Sequence, residues 1–378
     1  DYPSVDLAGL LFHEMAHQKL YIADDTVFNE SFASTVAQAG VKQWLTSTGK
    51  DDEFAVYMKR QKLRNETIAL MVDGRLDDLW FDTDAPRPGT IYRAIADRPV
   101  KGMGGMFVKT PDGPGFLRHA KGLSPGQSIL VQLTSYAEPG KALPLTQKIL
   151  FKSRFAIVTP DAPGLNISRS IRDEEQRELL MGIARSEMGE SNLGLILCSC
   201  CATADRADIA DDINAMADLA TQILTEQTGA AETLVEGDGP HALAWREWSE
   251  PAEVDTSSGG LEQHAVLEAV EALQSPCVPI AQAGHVYIEA TRALVAVDVN
   301  TGADTSPASG LKTNLLAAKD LPRQLRLRGL GGQIVLDPAP MAKKDRRQFE
   351  TALRNAFRTC QVDTNLVGWT TLGHFELQ

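Results

Sequence analysis

The 378 residues are enough for two or three separate cores, and 43% hydrophobic with 23% charged residues is the balance of an ordinary globular chain. No apolar run approaches the roughly 18 to 20 residues that span a bilayer, and no secretory signal is visible. No membrane partner and a cytoplasmic location are expected. A net charge of −13 argues against indiscriminate nucleic-acid binding, because that affinity comes from Lys and Arg neutralising phosphates. It leaves room for a local basic groove. The cysteines, Cys198, Cys200, Cys201, Cys277 and Cys360, are odd in number and clustered, which fits reduced thiols better than a disulfide framework.

Near the start, Leu10-Leu-Phe-His-Glu-Met-Ala-His-Gln contains His13, Glu14 and His17 in an HExxH pattern. On a helix, positions i and i+4 share a face, so both imidazoles can grip one Zn²⁺ beside a Glu base. Asn29-Glu30-Ser31-Phe32-Ala33 then places a carboxylate on a second expected helix. Two His and one Glu leave zinc a fourth position for water, from which Glu14 would take a proton. The alternative is an amphipathic helix pair with two incidental histidines. The segment from Leu7 to Leu45 resembles the core of a family of predicted bacterial zinc aminopeptidases. That resemblance implies zinc ligands His13, His17 and Glu30, with Glu14 catalytic. Such enzymes carry a large part of their fold ahead of the zinc helix. Here the chain opens on Asp1 rather than a methionine, so the natural start is expected to be missing or removed.

Between Lys50 and Asn65 the chain turns polar and charged, which marks a boundary. The run Thr67-Ile-Ala-Leu-Met-Val, then Asp73-Gly74, then Arg75-Leu-Asp-Asp-Leu-Trp-Phe is a hairpin signal. From Gly89 to Phe151 short strand-like runs recur between glycines and prolines, the pattern of a small barrel of OB type. On such a barrel Phe107 and Phe116 would be stacking platforms for bases, with Lys109, Arg118 or Lys141 near phosphates. The commoner fate of a phenylalanine is the core, and that alternative stays open.

From Phe151 the pattern is mixed α/β. Strands are expected at Phe155-Ala-Ile-Val-Thr and Leu193-Gly-Leu-Ile-Leu-Cys, with helices leading through Ile183 and over Ala204 to Thr225. Glu236 to Gly260 reads as a long acidic loop. The Cys198-Ser-Cys-Cys cluster lacks a second pair and reads as buried free thiols.

His285 to Met341 carries the chemistry. Two apolar strands each deliver an acid at the carboxyl end, Asp298 with Asn300, and Asp337. Strands adjacent in the chain often lie side by side, so the carboxylates can meet at one sheet edge. Paired hard oxygen ligands suit Mg²⁺ or Mn²⁺, and such an ion activates water for phosphodiester chemistry. The alternative is that both aspartates merely cap strands. Arg323, Arg326 and Arg328 fall between the acidic strands, and Lys343, Lys344, Arg346 and Arg347 follow the second. That is the charge pattern of a phosphate-tracking groove within an acidic chain.

Three passages, Ile288 to Gly302, Asn314 to Asp337 and Phe151 to Arg172, resemble the ribonuclease E/G family, in one of its short bacterial forms. The similarity extends over about residues 66–378. It implies an endoribonuclease cutting single-stranded RNA with Mg²⁺, Mn²⁺ being the alternative ion. Asp298 and Asp337 match the family's metal-binding aspartates, and Asn300 the asparagine that orients one of them. Phe107, Phe116 and Lys141 fall in its RNA-binding barrel and Arg169 in the passage that recognises a 5′ phosphate. Arg292, Arg323, Arg326 and Arg328 complete the expected RNA contacts. Departures are the Pro-Ala-Pro-Met after Asp337, where better-known members carry a second acid, and Cys198-Ser199 in place of a 5′-sensing Arg-Thr pair. The peptidase-like segment stands in place of the ribonuclease's first strand. No Cys-x-x-Cys zinc link is present, so that route to oligomers is not expected.

The expected architecture is mixed α/β and multidomain. A helical HExxH fragment spans 1–64, strands with an OB-like barrel 65–150, an RNase H-like and 5′-sensor-like region 151–280, and a metal-binding α/β subdomain 281–378. The expected activity is Mg²⁺-dependent cleavage leaving 5′-phosphate products. Zinc peptidase activity, or RNA binding without catalysis, is the alternative.

Overall fold

The structure is a computed structural model. It describes residues 4–17, 19, 26–50, 52–65, 67–100, 104–120, 122–138, 140–257, 259–280, 284–304, 306–358, 360 and 362–378. The chain forms two compact units, one of residues 1–68 and 80–251 and the other of residues 69–79 and 252–378.

The first unit opens with three helices, α1 (Ser4–His17), α2 (Thr26–Ser47) and α3 (Asp52–Asn65). Val5, Val41, Leu45 and Tyr57 form their buried core, with Phe12, Trp44, Phe54 and Met58 against it. The polar stretch after Lys50, expected to be a boundary, is thus helical. Asp52 and Glu53 occupy its first turn, where carboxylates complement the helix dipole, and one apolar stripe suffices to dock it. A hairpin of β1 (Thr67–Val72) and β2 (Arg75–Phe81) follows, of which residues 69–79 belong to the second unit. Asp73 and Gly74 both have positive φ, as a two-residue hairpin turn of the mirror-image type requires.

The barrel comprises β3 (Ile91–Val100), β4 (Gly105–Thr110), β5 (Gly113–Leu117), β6 (Ser128–Leu133) and β7 (Leu143–Thr146). The long strand β3 closes it by pairing with β6 over its first half and with β4 over its second. The two pairings meet at Ile95, and a bulge between Ala96 and Pro99 follows within the β4 pairing, an irregularity that accommodates a proline. Alternation sends Tyr92, Met106, Val108, Leu117, Val131 and Leu145 inward. This closed five-stranded barrel is OB-like, as the glycine-punctuated short runs imply.

Next come β8 (Phe151–Lys152), β9 (Ala156–Thr159), β10 (Gly164–Ile167), α4 (Glu174–Met188), β11 (Gly194–Leu197), α5 (Arg206–Thr225), β12 (Glu232–Val235) and α6 (Pro240–Glu247). The strands order as β10-β11-β9-β8, and β12 pairs with β3. Leu180, Ala184, Ile209 and Ile213 of the two long helices pack on Val158, Leu195 and Leu197. Asp173 and Asp205 cap those helices through bonds from Gln176 N and Ala207 N, each 2.8 Å. The expected loop from Glu236 to Gly260 instead contains α6, started by Pro240 at its first turn after Gly239.

The second unit adds α7 (Gly260–Gln263), α8 (Val266–Leu273), β13 (Cys277–Pro279), β14 (His285–Ala290), β15 (Val295–Asn300), α9 (Pro307–Leu327), β16 (Ile334–Asp337), α10 (Arg346–Arg358), β17 (Leu366–Trp369) and β18 (Phe375–Leu377). Its sheet runs β13-β14-β15-β16-β18-β17, with α9 the crossover that makes β15 and β16 parallel. Val286, Val297, Val299 and Leu336 face the helices, where Ala317, Ala318 and Leu321 of α9 and Phe349, Leu353 and Phe357 of α10 meet them. Among the described residues, no helix is long and apolar enough to cross a membrane.

Candidate active site

Strand alternation decides where the carboxylates point. With Val297, Val299 and Leu336 turned to the helices, Asp298, Asn300 and Asp337 emerge on the opposite, solvent-facing side of the sheet. Parallel pairing sets Asp298 directly beside Asp337, and neighbouring strands are about 4.8 Å apart. The Asn300 side chain donates from Nδ2 to Asp298 Oδ2 at 2.8 Å, which fixes that carboxylate's orientation. Sequence reasoning missed His374, whose Nε2 is 3.8 Å from Asp337 Oδ1 on the far side of the pair. It immediately precedes a three-residue strand that carries little period-2 signal.

Beyond Asp337 the loop is held from α9. The fully buried Asn314 donates from Nδ2 to the carbonyl of Ala339 at 2.8 Å and accepts from the Ala339 N–H at 2.9 Å. One turn earlier Gly310 has no side chain to give, and a Cβ there would lie 2.0 Å from the Pro340 carbonyl oxygen. The Pro-Ala-Pro-Met segment is therefore a seated loop that positions the end of β16.

The donor set can be tested against the expected ion. Among the described residues no group of three or more His, Cys, Asp or Glu is placed to hold a metal ion. Two adjacent carboxylates and an amide on an open face suit a hard cation that retains several waters, which is how Mg²⁺ is usually held. They do not suit a structural zinc site.

The expected arginine groove takes a different form. α9 lies against the sheet face opposite the carboxylates, and its arginines bind protein. Arg323 holds Asp320 with two bonds, at 2.8 and 2.9 Å, and donates to the Leu76 carbonyl at 2.6 Å. Arg326 donates to the Asp77 carbonyl at 2.8 Å. Arg328 donates to the Leu273 carbonyl at 2.6 Å. These guanidiniums brace the β1–β2 hairpin and α8, and the donors named here are taken by protein partners. Arg292 lies in the turn before β15, at the end of that strand away from Asn300. Lys343, Lys344 and Arg347 are exposed after the seated loop, while Arg346 stacks over Trp369 at 4.2 Å.

On the barrel, Phe107 and Phe116 are cross-strand partners on the outer surface, half-buried, with ring centroids 5.4 Å apart. The Arg98 guanidinium sits 4.9 Å over Phe107. Neither ring belongs to the barrel core, so the core alternative does not apply. A Cβ at Gly105 would meet the Phe116 ring at 2.6 Å, so that glycine gives the ring its place. Lys109 pairs with Asp97 at 3.5 Å, and Lys141 pairs with Glu138. Arg169 is exposed in the loop after β10.

At the carboxyl end of β11 the three cysteines are close together. A hydrogen bond from Cys201 and the charge of Arg154 outweigh burial and lower the Cys200 thiol to about 7, while burial pushes Cys198 up to about 12. Arg154 also stacks on Trp245 at 4.0 Å. The side chains of His13, Glu14, His17 and Glu30 lie outside the described residues. Their backbones belong to α1 and α2, which pack together.

Residues 1–86 match the family model described as "Putative aminopeptidase". Ribonuclease E of Synechocystis sp. is 24% identical over 372 residues, covering 83% of this chain and 55% of the relative. Ribonuclease G of Escherichia coli K12 is 24% identical over 379 residues, covering 83% of this chain and 77% of the relative. Ribonuclease E of a Nostoc species is similar at 24% identity over 54% of its length. The chain thus spans about half the length of those cyanobacterial relatives. The Ribonuclease E/G family model matches residues 151–248 and 244–378, more than half of the chain, and the protein belongs to that family.

Proposed function

We propose that this protein is an endoribonuclease that hydrolyses single-stranded RNA at Asp298 and Asp337 and leaves a 5′ phosphate on the downstream product. The observation that carries this reading is the register of β15 and β16, which sets the two carboxylates side by side on an open sheet face. Family membership supports the same reaction class. Mg²⁺ or Mn²⁺ held there would neutralise the phosphodiester and favour ionisation of water. The chain's own part is positional. Asp298 and Asp337 offer the oxygens, Asn300 keeps the Asp298 carboxylate in one orientation, and Asn314 steadies the segment after Asp337.

The outer barrel surface of Arg98, Phe107, Lys109, Phe116 and Arg118 supplies ring faces and cations for successive nucleotides. Arg169 is the candidate for a 5′ phosphate, without the Arg-Thr pair that Cys198-Ser199 replaces. The test is incubation of the full chain with a fluorescent single-stranded RNA in Mg²⁺, in Mn²⁺ and with chelator. Cleavage is expected only with metal, and the products should ligate through a 5′ phosphate. Products with 5′ hydroxyl ends would contradict the mechanism.

A second reading, peptide hydrolysis with Zn²⁺ at His13, His17 and Glu30 and Glu14 as base, is favoured by the match of residues 1–86. Aminoacyl-dye release that a zinc chelator blocks and Asp298→Asn leaves intact would support it.

A further inference from the structure

Tyr287 stands directly across from Asp298 on the antiparallel neighbour β14, and His285 directly across from Asn300. Both side chains emerge on the same face as the carboxylates, because Val286 and Ile288 between and beside them point to the core. The Tyr287 side chain fills no gap in that core and is 38% exposed. It is nevertheless packed against a neighbouring ring. The His285 ring meets it edge-on, with centroids 5.3 Å apart and planes at 90°. Cys277 stands directly across from it on β13, the next strand of the sheet. An aromatic ring packed against a neighbour yet well exposed to solvent can serve as a platform. Directly opposed residues on paired strands are about 5 Å apart. A phosphodiester at the aspartates therefore brings its own nucleotide's base within reach of this ring.

We infer that Tyr287 stacks against the base of a nucleotide flanking the scissile phosphate, and so helps to select unpaired RNA. The inference rests on the reading of Asp298 and Asp337 as the hydrolytic site. Its chemistry needs only an accessible π-face on the substrate. A base in a duplex has both faces covered by neighbours and cannot lie on the ring. Sequence identity of the base matters little, because every base has such a face.

The full chain carrying Asp298→Asn, which is not expected to turn substrate over, would be bound in Mg²⁺ to single-stranded RNAs. Each RNA carries 2-aminopurine at one position, and the position is scanned along the strand. Quenching at one site is expected, with loss of most of that quench when Tyr287→Ala is added and its return with Tyr287→Phe. In the chain with Asp298 intact, Tyr287→Ala should raise KM roughly ten-fold, the scale of one lost base–aromatic stack, and change kcat less. A quench profile that Tyr287→Ala leaves unchanged at every position overturns the inference. Cleavage that persists in Asp298→Asn would instead remove the reading of the hydrolytic site, while the quench still reports on the ring.

Discussion

Asn314 on α9 and Ala339 in the loop after Asp337 form a reciprocal pair, with one side-chain amide satisfying both backbone groups of one residue. Asn314 is wholly buried, so no water replaces it. Asn314→Ala should therefore leave an N–H and a carbonyl unpaired and destabilise the protein by about 3 kcal/mol. Denaturant unfolding measures this. Cleavage activity should fall as well, since the segment adjoining a proposed ligand loses its anchor.

Arg323 gives a contrasting expectation. Burial opposes the Asp320 charge, but hydrogen bonds from Arg323 and Gln324 outweigh it and hold the carboxyl below its usual range. A lowered folded value means stability that is present above the unfolded value of about 3.9 and lost as pH falls through the folded one. Arg323→Met should cost about 2 kcal/mol near neutral pH. The cost should shrink in acid, and the salt dependence of RNA binding should not change. A salt slope reduced by about one unit would return Arg323 to the phosphate contacts.

Phe107 and Phe116 lie outside the barrel core, so their removal should tell on RNA more than on folding. Phe107→Ala is expected to weaken single-stranded RNA binding by about 1–3 kcal/mol in fluorescence anisotropy. The melting temperature should change little. A large drop in melting temperature with unchanged affinity would make the pair structural.

The barrel and the carboxylate pair were legible in the residues for a common reason. Alternation and glycine-marked turns are local, and Asp298 and Asp337 each lie at the carboxyl side of a short apolar run of strand type. That the two strands lie side by side was also expected, while their parallel direction is a finding of the structure. What was not legible depends on partners distant in the chain. Arg323 and Arg326 look like a basic stripe until Leu76 and Asp77 are seen to take their donors, more than two hundred residues earlier. His374 and Tyr287 join the aspartates only through strand register. α6 was missed because an eight-residue helix inside an acidic stretch has scarcely two turns in which to show a period.

The cysteine cluster should behave unequally. With Cys200 lowered to about 7, its alkylation by iodoacetamide should rise through that pH and precede Cys198, which burial holds near 12. The signs for stability are opposite. Cys200 contributes stability above the unfolded thiol value of about 8.5, which is lost as pH falls through about 7. Cys198 makes the fold less stable as pH rises past that unfolded value. Peptide mapping after timed alkylation at several pH values reads the order of modification. Equal rates for both thiols would contradict it.

The most direct test concerns the carboxylate pair. Asp298→Asn and Asp337→Asn change one atom each on an open sheet face and should leave the circular dichroism spectrum and melting temperature near those of the parent. The expected result is loss of single-stranded RNA cleavage in both variants at every Mg²⁺ and Mn²⁺ concentration, with RNA still bound. Undiminished cleavage by either folded variant would contradict the assignment of the site.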